Sequence, residues 1–510
     1  MSALTNIFSV VDDRMNPIVV KELRQAVAGK FVASVLMLFL AVQLATLGLF
    51  LMLDDSAGAA GNFEAGRTVF MVLSAILLGT CLLFVPAYAA IRLAAERSGT
   101  QVDLLYVTTI RPRSIIWGKF ASAMMVTVLI YSACLPFLSL TYLLRGIDLP
   151  TIFTLLGIDF LIVSASNMFA IFLACIPANR VLKSMLALVG LGTLITVFSM
   201  TIGMTSSLIF YSGGIGASDF WQGMAVFTVL TIALTGLMYV ISVAMVSPPS
   251  SNRALIVRVY LTAAWLVIGG YMFIWSRIIT DHAPVIAWVI LTVCIGCVAI
   301  LASVSERDAW GARLRGMIPR NFLLRRLAFV FYSGAAGGVA WIVILVAATG
   351  TLAWWWGTTF SSYSNHHDLN ECLDLCIPMA LYFFAYAMTA MMLRRRLMRR
   401  LITPNNTYAL TLILMAIGTI LPLTIGWIVS GKTFYRMPSE YYLTMPFVMF
   451  VNDHVRQTAW WFGSVWAGGI LVMSLPWFFA RARQFQPLPS TPAPVEPSEP
   501  ANPEPDSPDA

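Results

Sequence analysis

Apolar runs long enough to cross a bilayer recur along the whole chain. A helix needs about 20 mostly apolar residues to traverse about 30 Å of hydrocarbon. Twelve runs of that kind, bounded by charge, Gly or Pro, lie at residues 31–53, 69–91, 120–144, 151–176, 184–211, 222–246, 259–275, 283–303, 328–356, 375–393, 408–429 and 458–480. Inside lipid each backbone group must be satisfied within its own segment, so spans of this length are helices. The expected fold is therefore an all-α polytopic membrane protein with about twelve transmembrane helices. The seventh run is short, which predicts a tilted or broken span, and the fifth and ninth are long enough to overhang the membrane. Composition agrees: 59% of residues are hydrophobic and 11% charged, against about 25% charged in soluble domains. A water-soluble enzyme is excluded.

Direction follows from the basic residues. With the N-terminus inside, all but six of the 32 Lys and Arg fall in inner segments, the six being Arg67, Arg145, Arg277, Lys432, Arg436 and Arg456. That asymmetry is the one cytoplasmic loops carry, and it places both termini in the cytoplasm. The net charge of +8 therefore belongs to the membrane surface, and no nucleic-acid partner is expected. The first 30 residues lack the apolar centre of a cleavable signal peptide. At the other end, residues 481–510 read as a disordered cytoplasmic tail rich in proline and acidic residues.

Two segments are more than spans. In residues 1–30, Asn16 and Pro17 start a helix as N-cap and first helical position. Val19, Val20, Leu23, Val27 and Phe31 share one side of it, opposite Lys21, Arg24 and Gln25, and Glu22 lies in the same stretch. This is the pattern of a helix lying in the inner interface. The inner loop after the second run, AAERSGTQVDLLYVTTIRPRSIIWGKFA, places Thr100 and Asp103 at capping-box spacing, with Val102, Leu104 and Leu105 giving a short helix an apolar edge. Such a helix suits docking onto another protein.

The pair NPIVVKELRQ before the first span and AERSGTQVDLLYVTTIRPRSIIWGK after the second resembles the ABC transporter permeases of the type-2 exporter class. Glu96, Arg97, Gly99, Thr100, Leu104, Leu105, Thr108, Gly118 and Lys119 match the family's loop pattern, while Ser98 and Asp103 stand where Glu is frequent. The likeness covers roughly the first 246 residues. It implies a six-span module at 31–246 whose loop 92–119, including Asp103, is a cytoplasmic coupling helix. It implies a separate ABC ATP-binding subunit as partner, and a cytoplasmic (inner) membrane location. The pattern G-x-x-x-x-G-K-[ST] occurs once, at 426–433, where it closes an apolar run instead of following a strand and opening a helix, so it is not read as a phosphate loop. Cofactors are thus expected only on the partner, as ATP and Mg.

Residues 247–480 form the second six-span module. Its inner loop SERDAWGARLRGMIPRNFLLRRLAFVF repeats Glu-Arg and Pro-Arg, at Glu306, Arg307, Pro319 and Arg320, as a divergent duplication would. A true repeat makes one chain an internal pseudo-dimer; otherwise two permease chains pair. Asp159, within the fourth run, is the translocation-path candidate, weighed equally against a position near the outer interface, hydrated or bonded to a neighbouring helix, with Arg145 and Asp148 of the preceding outer turn as its local charge environment. The stretch HHDLNECLDLC (366–376) reads as a polar outer loop rather than a metal site, and Cys294 and Cys297 as packing residues. Trp354, Trp355, Trp356, Trp460 and Trp461 fit an outer aromatic belt. Two other functions stay open: an ATP-independent twelve-span secondary carrier, whose usual G-x-x-x-D-R-x-G-R-like loop is absent, and a membrane-embedded lipid-modifying enzyme.

Overall fold

The computed structural model describes residues 17–53, 63–96, 111–143, 147–177, 180–210, 218–248, 250–398, 400–431, 438–448 and 453–488. All regular structure among these residues is helical, and twelve of the helices are long and apolar enough to cross a membrane. The chain is a multi-pass α-helical membrane protein. The short helix α1 (Pro17–Ala28) precedes α2 (Lys30–Leu53), α3 (Phe63–Glu96), α4 (Pro112–Leu143), α5 (Leu149–Cys175), α6 (Arg180–Phe210), α7 (Ser218–Val246) and α8 (Arg253–Ile279). Then come α9 (Ala283–Val304), two short helices α10 (Ala312–Gly316) and α11 (Phe322–Phe331), and α12 (Ala335–Thr359), α13 (His366–Arg396), α14 (Thr407–Ser430) and α15 (Asp453–Gln484). Many hydroxyls inside the spans bond a carbonyl one turn back, as Thr127 does to Ala123 and Thr292 to Trp288, which satisfies them within their own helix.

The chain divides into two compact units, Met1–Pro249 with Arg253–Tyr271, and Ser250–Asn252 with Met272–Ala510. Most of α8 therefore belongs to the first unit rather than opening the second. In the first unit α3 and α5 form the centre, with Phe70, Leu73, Leu77, Leu82, Val163 and Ile171 in one apolar core against which α2, α4, α6 and α7 pack. In the second unit α13 is central, flanked by α9, α12, α14 and α15. Tyr382 and Tyr386 on α13 donate hydrogen bonds of 2.6 Å to the carbonyls of Leu443 and Thr444. Gly418 is what admits the Tyr386 ring, because a Cβ there would lie 2.0 Å from the hydroxyl oxygen.

Several boundaries differ from the sequence reading. The seventh span is neither short nor broken: α8 runs for 27 residues, since Arg253 and Arg258 lie on the helix instead of ending it. The ninth run does not overhang. It splits at Tyr332–Gly334 into α11 and α12, with Gly334 at φ 150° and ψ 142°. Residues 366–376 form the first three turns of α13, not a loop. Nor is the tail irregular from residue 481, because α15 continues to Gln484 and Phe485 is 2% exposed, packed among Trp310, Phe329 and Tyr332.

Residues 305–334 in the second unit form a built cap on α12. Asp308 Oδ1 accepts the Ala335 amide at 2.8 Å, and Glu306 Oε2 accepts that of Gly334 at 2.6 Å. Carboxylates at a helix N-terminus satisfy orphan donors and oppose the positive end of the dipole. Asp308 also faces Arg395 at 3.8 Å and Arg481 at 3.5 Å. On α11, Phe322, Leu323, Leu324 and Leu327 are exposed beside Arg325 and Arg326, giving a second helix with interfacial character.

Candidate functional site

At the N-terminal end of the first unit, three elements meet on one carboxylate. Glu22, from α1, is buried and accepts a hydrogen bond from Lys119 Nζ of α4 at 3.0 Å; the two side chains are 7% and 4% exposed. Arg92 of α3 approaches the other oxygen of Glu22 at 3.6 Å. The guanidinium also donates to Gln25 on α1 at 2.5 Å and to the Tyr88 hydroxyl at 2.8 Å, and it lies over the Tyr88 ring. Phe31 stacks on the same ring at 5.8 Å. Buried charges persist only when paired and hydrogen-bonded, and here one acid satisfies two bases.

The expected interfacial and coupling residues distribute unevenly over this geometry. Pro17 begins α1, Lys21 and Arg24 are exposed, and Glu22 faces inward with Val19. Glu96 is the last residue of α3, and Gly118 and Lys119 are buried on α4. Asn16, Arg97, Gly99, Thr100, Asp103, Leu104, Leu105 and Thr108 lie outside the described residues. The clamp therefore joins α1 to the two helices, α3 and α4, that flank segment 97–110.

Above the clamp, polar groups continue along one face of α4. Lys119, Thr127, Tyr131 and Cys134 follow at helical spacing, so they share that face. Thr127 accepts a hydrogen bond from Asn167 of α5 at 3.2 Å, and Cys134 takes one from Gln43 of α2 at 3.5 Å, whose amide also reaches the Leu73 carbonyl at 3.1 Å. Asn167 and Gln43 are fully buried. Asp159 is buried at 3% exposure. It lies ten residues after Leu149, roughly 15 Å of helical rise, well inside the span and away from Asp148, which instead binds Thr151 at 2.6 Å. This burial fits a bond to a neighbouring helix and a place on a translocation path equally.

Three polar atoms on this row have no protein partner: Gln43 Oε1, Tyr131 Oη and Asn167 Oδ1. A buried polar group without a partner is costly, and this bundle keeps three of them. The sequence reading singled out Asp159 alone. The signal it passed over is the spacing 119, 127, 131, 134, which sets polar residues on a single stripe of an otherwise apolar helix.

In the second unit, His282 precedes α9 and is fully buried, with Nε2 3.1 Å from the Phe360 carbonyl and its ring 5.6 Å from that of His366. Burial pushes its imidazole below the ordinary value, opposed by the Phe360 carbonyl. Asp281 accepts both Asn365 contacts, at 2.9 and 3.0 Å. His367, Asp368 and Glu371 bring their ligand atoms within 4.8 Å of one another, but Glu371 is held by Arg456 at 3.1 Å. Two open donors on an exposed helix start make a poor metal centre. Cys297 is buried, whereas Cys294 is exposed and so packs nothing. Trp354, Trp355 and Trp461 are exposed, and Trp356 is buried against Phe273 and Phe360. No protein-family model matches the chain, and no curated protein or solved structure matches it either.

Proposed function

We propose that the chain is the membrane-spanning permease subunit of an ATP-driven exporter of the ABC type-2 class, and that a separate ATP-binding subunit docks on segment 92–119. The observation that carries this reading is the buried contact of Glu22 with Lys119 and Arg92. It fastens the interfacial helix α1 to both helices that bracket the docking segment, so a displacement there moves α1, α3 and α4 together. ATP bound by the partner would favour one arrangement of these helices and hydrolysis would release it, through differential affinity for the two states. ATP and Mg are assigned to that partner, since the chain's match to the phosphate-loop pattern, at 426–433, begins in the last turn of the membrane-crossing helix α14 and not after a strand. The polar row through Thr127, Tyr131, Asp159 and Asn167 supplies the path through the first unit. The membrane is a bacterial-type cytoplasmic membrane, with both termini inside.

A second reading, an ATP-independent carrier, draws on Asp159, a buried acid of the kind that serves ion coupling in transporters. One experiment separates the two. Tagged full-length chain is purified from its native membranes and assayed for a co-purifying nucleotide-binding subunit and for ATP hydrolysis. Both are expected, and both are expected to fall on replacing Leu104 and Leu105 with Asp while membrane insertion is retained. Recovery of no such subunit, together with labelling of Thr100→Cys only from the outer face, overturns the permease reading.

A further inference from the structure

In the second unit, between α9, α12, α13 and α15, lies a cavity of about 910 Å³, within the span of about 300–1,000 Å³ usual for ligand sites. Small side chains make the room. Ala347 on α12 and Gly468 on α15 line it, and a Cβ added to Gly468 would meet nothing within 4 Å. The walls are otherwise apolar, with Ile342, Ile377 and Phe383 among them, which suits a hydrocarbon chain and not a hydrophilic solute.

Four polar residues interrupt these walls, of which Thr351 and Asn370 are engaged within their own helices, with the Ala347 carbonyl at 3.0 Å and His366 Nε2 at 3.2 Å. Ser464 Oγ is buried and has no protein partner. Asp374 lies eight residues into α13, about 12 Å of helical rise, and among the described residues its carboxylate has neither an ion pair nor a hydrogen bond. The described cations at that end of the unit are engaged elsewhere: Arg456 binds Glu371 at 3.1 Å, and Arg277 lies over the Phe360 ring. Asp368, one to two turns earlier on α13, is exposed and adds negative charge. Asp374 is exposed at the cleft, and its carboxylate, without a counter-ion among the described residues, offers a charge that is matched by an occupant bearing a positive group.

We propose that this cleft holds an amine-headed phospholipid of the surrounding bilayer, with its ammonium on Asp374, one acyl chain along Ala347 and Gly468, and an ester oxygen as partner of the Ser464 hydroxyl. The inference is independent of the coupling site in the first unit and stands whether or not an ATPase drives the protein. An anionic head group is disfavoured by Asp374 and Asp368 together.

The test uses full-length protein in vesicles of mixed phosphatidylethanolamine and phosphatidylglycerol. These carry a trace of either lipid bearing a diazirine at one acyl terminus. After irradiation and digestion, the phosphatidylethanolamine probe is expected to label peptides from α12 and α15, and the phosphatidylglycerol probe to label them far less. Asp374→Asn should lower the labelling by about tenfold. Gly468→Phe and Ala347→Phe, which fill the cleft from opposite walls, should each abolish it. Equal labelling by the two probes in the native chain, or undiminished labelling in Asp374→Asn, overturns the proposal. So does undiminished labelling in whichever filled variant keeps the native elution profile.

Discussion

Removing one member of the Glu22–Lys119 pair leaves the other charge buried without its closest partner, a loss of about 3–5 kcal/mol in comparable pairs. Lys119→Met is therefore expected to lower the apparent melting temperature in detergent sharply. Glu22→Gln combined with Lys119→Met should recover most of the loss, because apolar and neutral groups of similar size fill the same space. A double variant no more stable than the single one would mean that the pair is not an energetic unit. Arg92, 28% exposed, retains hydration and should matter less. The sequence marked Glu22 and Lys119 separately, as part of an interfacial helix and of a loop motif, but their pairing spans 97 positions and no local pattern encodes such a contact. Asp159 was legible because an acid in an apolar run is conspicuous; Gln43, Thr127, Tyr131 and Asn167 were not, because neutral polar residues are common in spans.

Helix identity followed hydropathy closely, while helix ends followed local backbone chemistry that hydropathy does not see. The apolar run at 328–356 is continuous in composition, yet Ser333 and Gly334 turn the chain between α11 and α12, where Glu306 and Asp308 cap the new helix. Gly334 adopts a φ of 150°, and a Cβ there would lie 3.3 Å from the Asp308 carboxylate. Gly334→Ala is expected to destabilise the second unit by about 1–3 kcal/mol, read as a lower apparent melting temperature. An unchanged melt would show that the turn does not depend on glycine. The opposite error occurred at 366–376, where His, Asp, Asn and Glu suggested a loop. Leu369, Cys372, Leu373 and Cys376 are all buried on one side of α13, so the helical period was present beneath the polar composition.

On the proposed topology of twelve spans with both termini inside, the loop around Arg320 and the segment 97–110 face the cytoplasm and the start of α13 faces outside. Cysteine at Arg320 should react with a membrane-impermeant maleimide only in inverted vesicles, and cysteine at His367 only in right-side-out vesicles or cells. Reaction of both from the same face would remove a span from the count and reverse the side of every later loop.

Lys119, Thr127 and Tyr131 all precede the turn 132–136, where Pro136, the proline in the interior of α4, removes a hydrogen bond, so no missing amide interrupts the rod that carries these three. Such a rod, roughly 18 Å from Lys119 to Tyr131, would turn about its long axis as one piece. A swivel imposed at its foot would rotate every hydrogen-bonding group along it in the same sense and at the same moment. Opening and closing would then be a single torsional event, with Glu22 as the tiller.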